Sequence, residues 1–419
     1  VALIVAKFGG TSVADLDRLK AAASKVAREA AAGHQLVVVV SAMAGVTNDL
    51  VSKCDTALNG CEAHPQAVAD RDAVLASGEQ VTAGLMALCL QSLGLKAKAY
   101  QGWQVPVQTD NSYSKARITD IPTTALTAEL AQGIIPVVAG FQGISQEGRI
   151  STIGRGGSDT TAVALAASLK ANRCDIYTDV DGIYTTDPRV ENKARKISRI
   201  TLEEMLEMAA QGAKVLQTRS VEMAMRHGVL VQVLSSFEQA VGSDLPGSLL
   251  TQETEANTME SRIVTGIAFS RDEAQITLRR VPDRPGLAAG IFGPLAEAQV
   301  NVDMIVQDLS TDGKATDLSF TVTDREADKA AQVLRDLQSH LGFDSMEVAR
   351  NVAKVSIVGV GMRSAPGVAA TMFKTLSDKG INIRVIASSE IKITVLIDAD
   401  ATELAVRALH GAYNLDQAV

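Results

Sequence analysis

Two patterns predict an α/β fold of two kinds in one chain. Over residues 1 to about 250, short β-branched runs alternate with longer Ala-rich segments of helical period, which predicts a three-layer domain with a mainly parallel sheet. Over the remainder, Val281-Pro-Asp-Arg-Pro-Gly-Leu-Ala-Ala-Gly-Ile-Phe aligns without gaps on Met362-Arg-Ser-Ala-Pro-Gly-Val-Ala-Ala-Thr-Met-Phe, an offset of 81 residues. The match continues from Val300-Asn301-Val302 onto Ile381-Asn382-Ile383, so two copies of one small module are expected. Aromatics make up only 3% of 419 residues against 46% hydrophobic, so the core must be built from Ala, Val, Leu and Ile, which suits stacked α/β layers.

In the first part, strands are expected at 2–8, 36–41, 97–100, 134–140, 174–178 and 230–234. Helices are expected at 15–32, 67–93, 123–132, 159–171, 201–211 and 217–227. Residues 246–263, rich in Gly, Pro, Ser, Thr, Asn and Glu, read as a linker between a domain at 1–245 and the modules. Each module reads as strand, Pro-Gly turn, amphipathic helix, strand, strand and helix, a ferredoxin-like α+β order. The expected spans are 264–349 and 350–419, with strand exchange between them left open.

The formal net charge of −8 argues against a general affinity for nucleic acid or anionic lipid. Apolar runs such as Leu36 to Val40 fall far short of the roughly 20 residues that span a bilayer, and Val1-Ala-Leu-Ile-Val-Ala-Lys7 reads as a first strand rather than a leader, so a cytoplasmic location is expected. Cys54, Cys61, Cys89 and Cys174 match neither a zinc pattern nor a disulfide framework and read as thiols in a reducing compartment. His34, His64, His227, His340 and His410 form no ligand pair, and no metal site is expected.

Ligands of open α/β sheets sit at the carboxyl ends of strands, so the strand ends carry the candidate chemistry. Lys7-Phe-Gly-Gly-Thr-Ser12 follows the first strand; it is either an ordinary strand-to-helix turn or a loop whose N–H groups approach an oxyanion beside the Lys7 charge. Ser151-Thr-Ile-Gly-Arg-Gly-Gly-Ser-Asp159 is more specific, because Arg155 among glycines could present its planar fork to a carboxylate. Asp159 is equally placed to cap the next helix. Gly45-Val-Thr-Asn48 and Ala76-Ser-Gly-Glu-Gln80 supply hydroxyls and a carboxylate suited to an amino acid, although each alone is more often a turn or cap. Tyr177 to Arg189 is a polar loop or a pocket for ribose and base, and Lys214 a turn lysine or a second phosphate neutraliser. Gly359-Val-Gly361 lacks the third glycine and acidic partner of a dinucleotide site.

Together these segments resemble the aspartokinases of the amino-acid-kinase superfamily over essentially the whole chain. Lys-Phe-Gly-Gly-Thr-Ser at 7–12, Ser41-Ala-Met, Gly-Glu-Gln at 78–80, Gly-Arg-Gly-Gly-Ser-Asp at 154–159, Tyr-Thr-Asp-Val-Asp-Gly at 177–182 and Thr-Asp-Pro-Arg at 186–189 occur in the family's order. The resemblance implies the amino-acid-kinase fold and ATP-dependent phosphorylation of the aspartate side chain, the first step toward lysine, threonine and methionine. It implies Lys7, Asp159 and Lys214 as catalytic residues, with Lys7, Gly9, Gly10, Thr178, Asp179, Tyr184, Asp187, Arg189 and Lys214 around ATP. Ser41, Thr47, Glu79, Arg155, Gly156, Gly157 and Ser158 would hold aspartate. Mg2+ is implied on the nucleotide phosphates, without assigned protein ligands.

By the same resemblance the repeat looks like the family's paired ACT domains, which bind lysine, threonine or both. Candidate effector residues are Asp283, Asn301, Val302, Asp303 and Gln307 in one copy and Ser364, Asn382, Ile383, Ser389 and Glu390 in the other; Asn301 and Asn382 also suit turns at strand starts. A homodimer or larger assembly through the ACT domains is implied, and a separate small subunit could start near Met259. Two rivals remain at this level: another kinase of the superfamily acting on glutamate or acetylglutamate, and a non-catalytic amino-acid sensor on the same scaffold.

Overall fold

The computed structural model describes all residues except 60–63, 65, 239–245, 253–262, 310–314 and 418–419, and gives the backbone alone at 309, 363 and 364. Cys61 and Met259 therefore lie outside the described residues. The chain divides into two compact units. One comprises Val1–Ile183, Lys196–Ala209 and Lys214–Asn257; the other comprises Tyr184–Arg195, Ala210–Ala213 and Thr258–Val419.

The first unit is organised by an eight-stranded sheet. Its strands are Leu3–Phe8, Gln35–Val40, Ala97–Tyr100, Ile135–Ala139, Arg173–Thr178, Arg199–Thr201, Val231–Ser235 and Ser248–Thr251. Leu3–Phe8 sits near the middle, parallel to Gln35–Val40 on one side and to Arg173–Thr178 on the other. Ile135–Ala139, Ala97–Tyr100 and Val231–Ser235 extend the parallel array. Strands buried on both faces need continuous apolar runs, which Leu36 to Val40 supplies. Helices Leu16–Ala31, Ala67–Ser92, Gly157–Ser168 and Thr218–His227 agree with the periodic segments to within a few residues at each end.

The expected linker is corrected in part. Ser248–Thr251 is a strand, antiparallel to Val231–Ser235 and parallel to Arg199–Thr201. Helix Val46–Leu58 is an addition, as is a small sheet formed by Gln108–Thr109, Ile118–Asp120, Gln142–Ser145 and Ile150–Thr152.

Helix Ala67–Ser92 is long and apolar enough to cross a membrane by length and composition. It instead carries a fully buried Asp72 and a buried Glu79 on one face and packs against strands of the first unit. Two buried carboxylates meeting protein donors suit a core helix, not a lipid-facing one.

The second unit holds one six-stranded sheet built from both repeat copies. Two long strands, Gly266–Pro282 and Ser345–Val358, lie antiparallel at its centre, and each serves both copies. The second half of Gly266–Pro282 pairs with Ala315–Val322 of the first copy, while its first residues, 266–270, pair with 354–358 of the second. Ser345–Val358 does the reverse, so it runs unbroken across the 349/350 boundary. Register shifts around Ser270, Glu273 and Gln275 mark the changeover. Two cores result: Ile276, Leu278, Ile291 and Phe320 in one, and Ile267, Val355, Met372 and Leu409 in the other.

Met86 is fully buried in the core between helix and sheet of the first unit. Met86→Ala should lower the stability of that unit by roughly 2–5 kcal/mol, seen as a lower denaturation midpoint with an unchanged slope.

Candidate active site

Lys7 is the penultimate residue of the central strand Leu3–Phe8, in register with Val39 and Ile176 on its two neighbours. A lysine here cannot reach bulk water easily; its side chain is 8% exposed. Its ammonium pairs with the carboxylate of Asp159, itself 12% exposed. Asp159 is the third residue of helix Gly157–Ser168, whose N-cap is Gly156, so it does not cap that helix. Its carboxylate also lies in the first turn, where the positive helix end favours an anion.

After Phe8 the chain turns through Gly9 and a short 3-10 segment, Gly10–Val13, before Asp15 caps helix Leu16–Ala31 at Arg18 N (2.8 Å). Gly9 N donates to Tyr177 O (3.1 Å), tying the first loop to the end of strand Arg173–Thr178. The Phe8 and Tyr177 rings stack at 4.6 Å beneath this junction. A Cβ on Gly10 would stand 3.0 Å from Ala42 O, so the two loops touch through backbone. Thr178 Oγ1 donates to Asp179 (3.1 Å), and Ser236 N and Oγ both donate to Thr178 O (2.8 Å each).

The neighbouring strand end brings Ser41, whose hydroxyl lies 2.7 Å from that of Ser158. Next to it, Ala42 N donates to Glu79 Oε1 (3.0 Å). Glu79 Oε2 is buried and meets no hydrogen-bond donor among the described residues. Burial pushes the Glu79 carboxyl up to about 7, an effect only partly offset by the Ala42 N–H. Arg155 is exposed on the loop ahead of Gly156 and Gly157. Gly156 has φ +67°, and a Cβ there would fall 2.0 Å from Gln217 Cγ, so both conformation and space demand glycine.

The structure thus brings together Lys7, Gly9, Gly10, Ser41, Glu79, Gly156, Gly157, Ser158 and Asp159 at the carboxyl ends of neighbouring strands. Thr47 lies half-buried at the start of helix Val46–Leu58, and Lys214 is exposed in the turn ahead of helix Thr218–His227. Tyr184, Asp187 and Arg189 belong to the segment that packs with the second unit, where Arg189 Nη2 donates to Asp187 Oδ2 (2.7 Å). Sequence reading passed over Gly140, where a Cβ would stand 2.7 Å from Ser158 Cβ, and Gln217 beneath Gly156. The glycine ending an apolar strand was a usable signal for the first; nothing local pointed to Gln217.

Of the candidate effector residues, Asp303 accepts from Lys354 Nζ (2.6 Å), which also meets Glu273 (3.1 Å). Asp283, Asn301, Gln307, Asn382, Ser389 and Glu390 are exposed and Val302 is half-buried, while the side chain of Ser364 lies outside the described residues. Ile383 lines a cleft of about 360 Å³ with Arg279, Asp308, Ser319 and Arg384, where the edge strand of one copy approaches that of the other. Among the described residues no three His, Cys, Asp or Glu side chains gather as a metal cage.

The model of the amino acid kinase family matches residues 2–235, and models of the ACT domain match residues 276–342 and 355–413. The chain is 49% identical over 416 residues to the aspartate kinase of Pseudomonas fluorescens (strain SBW25), covering 99% of this chain and 98% of that one. Its fold is similar to E. coli aspartokinase III in complex with aspartate and ADP, with TM-score 0.81 and 28% identity over 98% of this chain and 99% of that one. The same enzyme in complex with lysine and aspartate matches with TM-score 0.75 and 29% identity over 99% and 100% of the two chains.

The Glu79 shift fixes the sign of a pH effect. With a folded value of about 7 against the usual 4.5, the unfolded chain gives up this proton first. The carboxyl therefore contributes stability fully below pH 4.5 and loses it as pH rises through 7, on the order of 3 kcal/mol in all. Denaturation of wild type and Glu79→Gln at pH 5 and pH 8 should show the wild type losing that much relative to the variant; parallel pH profiles would refute the assignment.

Proposed function

The chain belongs to the aspartokinases of the amino acid kinase family, and from that premise we propose how its residues move the γ-phosphoryl group of ATP to the side-chain carboxylate of aspartate. The observation that carries the reading is the nearness of the Lys7–Asp159 pair and its glycine loop to a buried Glu79, held at Ala42 N after the next strand with its other oxygen unpartnered among the described residues. One arrangement suits phosphate and the other an ammonium group, which is the pair of substrates the reaction needs.

In this proposal the β- and γ-phosphates lie over Gly9 and Gly10, where the absence of side chains admits close approach to backbone N–H groups. Lys7 supplies charge at the transferred group, held in place by Asp159, and Lys214 supplies a second charge. Thr178, Asp179, Tyr184, Asp187 and Arg189 are assigned to the nucleotide. The aspartate ammonium meets Glu79 Oε2, its α-carboxylate the Arg155 guanidinium, and Ser41, Thr47, Ser158 and the Gly156 and Gly157 backbone fix its orientation. The β-carboxylate is already an anion. Its oxygen forms a bond to the γ-phosphorus as the bond to the β-phosphate oxygen breaks, giving 4-phosphoaspartate and ADP, so catalysis is positioning and charge neutralisation.

Mg2+ is part of the proposal on the phosphate oxygens of the nucleotide, where it would neutralise charge. Asp159 is paired to Lys7, and among the described residues no triple of ligating side chains gathers.

Regulation by lysine, threonine or both is assigned to the ACT unit, with the candidate effector residues above. Its coupling to catalysis is supported by which segments the unit includes. Residues 184–195 and 210–213 pack with it, through Thr185 Oγ1 to His410 Nε2 (2.9 Å) and Ser356 Oγ to Gln211 Oε1 (3.0 Å). Gly212 fits only as glycine, with φ +112° and a Cβ position 2.2 Å from Phe269 O. Gln211 lies three residues before Lys214, and Asp187 and Arg189 are in the other segment. Two residues assigned to the nucleotide, Asp187 and Arg189, thus belong to the same unit as the ACT sheet. Exposed Ile305 and Ile386 on its edge strands support pairing with a second copy.

ATP-dependent acyl-phosphate formation, trapped as hydroxamate, should be seen with aspartate and not with glutamate or acetylglutamate. Absence of product with aspartate refutes the proposal. Lys7→Ala should cut kcat at least about 100-fold while leaving lysine or threonine binding by calorimetry unchanged. Added lysine, threonine or both should slow the wild type, and unchanged rates under every combination would remove the regulatory assignment.

A further inference from the structure

Asp72 lies on the same helix as Glu79, seven residues earlier, which places both carboxylates on one face two turns apart. It is fully buried and its partners are neutral. Oδ2 accepts from Ser114 N (2.8 Å) and Thr152 N (2.7 Å), and Oδ1 accepts from Thr152 Oγ1 (2.8 Å) and Ser114 Oγ (3.3 Å). A carboxylate with four donors aimed at it replaces much of its lost hydration, and each donor is held in turn by the charge.

The two segments so gathered are the ones that frame Arg155. Thr152 ends the strand that runs into Ile153-Gly154-Arg155, and Ser114 O stands 3.1 Å from where a Cβ of Gly154 would be. A half-buried charge holds the same pair of segments: Arg219 Nη1 donates to Ile153 O (2.6 Å) and Nη2 to Ala116 O (2.7 Å). The loop that carries the exposed Arg155 therefore springs from two backbone stretches fixed at both ends by Asp72 and Arg219. An Arg–carboxylate contact loses its benefit if its base drifts by an ångström.

We propose that Asp72, assisted by Arg219, is a positioning residue for the amino-acid substrate, setting the Gly154–Ser158 loop so that Arg155 meets the substrate carboxylate while Glu79 on the same helix meets its ammonium. This rests on the assignment of Arg155 and Glu79 to aspartate made above. One rigid helix then sets the spacing between the two recognition groups.

The test uses the full chain. Asp72→Asn keeps shape but turns an amide N–H toward donors, Thr152→Val removes one hydrogen bond, and Thr152→Ser retains it. Asp72→Asn should raise KM for aspartate about tenfold or more, and Thr152→Val about threefold, with KM for ATP within about twofold of wild type and Thr152→Ser close to wild type. Unchanged KM for aspartate in Asp72→Asn and Thr152→Val, or equal rises in both KM values, would overturn the inference. Should Asp72→Asn not fold, the Thr152 pair decides alone. Hydrogen exchange at the amides of residues 153–158 gives a readout that needs no turnover: faster exchange there in Thr152→Val than in Thr152→Ser is expected, and identical exchange overturns the clamp. A wild type without aspartate turnover would sink the functional reading instead, and exchange would still decide the clamp.

Discussion

The ion pair between Lys7 and Asp159 is the constraint on which the rest of the first unit depends. Both side chains are nearly buried, one from the central strand and one from the helix packed over it. A charge in such a place is costly alone and tolerable only when paired, so each residue requires the other. The pair fixes how helix Gly157–Ser168 enters over the sheet, and with it the Gly154–Ser158 loop. It also keeps an ammonium group at the carboxyl end of the strand, where the glycines after Phe8 expose backbone N–H groups. A site for an anion and the packing of the core are here one arrangement.

The second unit reaches its order by a different economy. Each repeat copy is short of one strand, and each takes it from the far half of a strand that begins the other copy. Neither copy can move its central strand without disturbing its neighbour, since the two cores share those strands. Lys354, Glu273 and Asp303 meet at the changeover, a buried lysine satisfied by carboxylates from two other strands. Removing either acid would leave charge poorly compensated where the copies join.

Most of the fold was readable because its elements are long and strongly periodic. Valines in unbroken runs announced buried parallel strands, and helices such as Leu16–Ala31 showed a clear apolar face. Ser248–Thr251 escaped notice for a physical reason: four residues between glycine, proline and polar chain carry no period. They become a strand only because Val231–Ser235 and Arg199–Thr201 lie on either side. Helix Val46–Leu58 was hidden likewise, since Cys54 is its only buried residue. Asp159 was ambiguous between cap and ion-pair partner, because sequence spacing says nothing of a lysine 152 positions earlier.

By itself the sequence determined the α/β class, the duplicated C-terminal module and the loops at strand ends that hold Lys7, Ser41, Arg155 and Ser158, since these are local patterns of period and turn chemistry. Only the tertiary structure decided that Glu79 would be buried with one oxygen unpartnered, that Asp72 would gather Ser114 and Thr152, and that the two copies would trade strands. Each of those depends on groups distant in the chain, and burial and hydrogen bonding between such groups exist only once the sheet has brought them together.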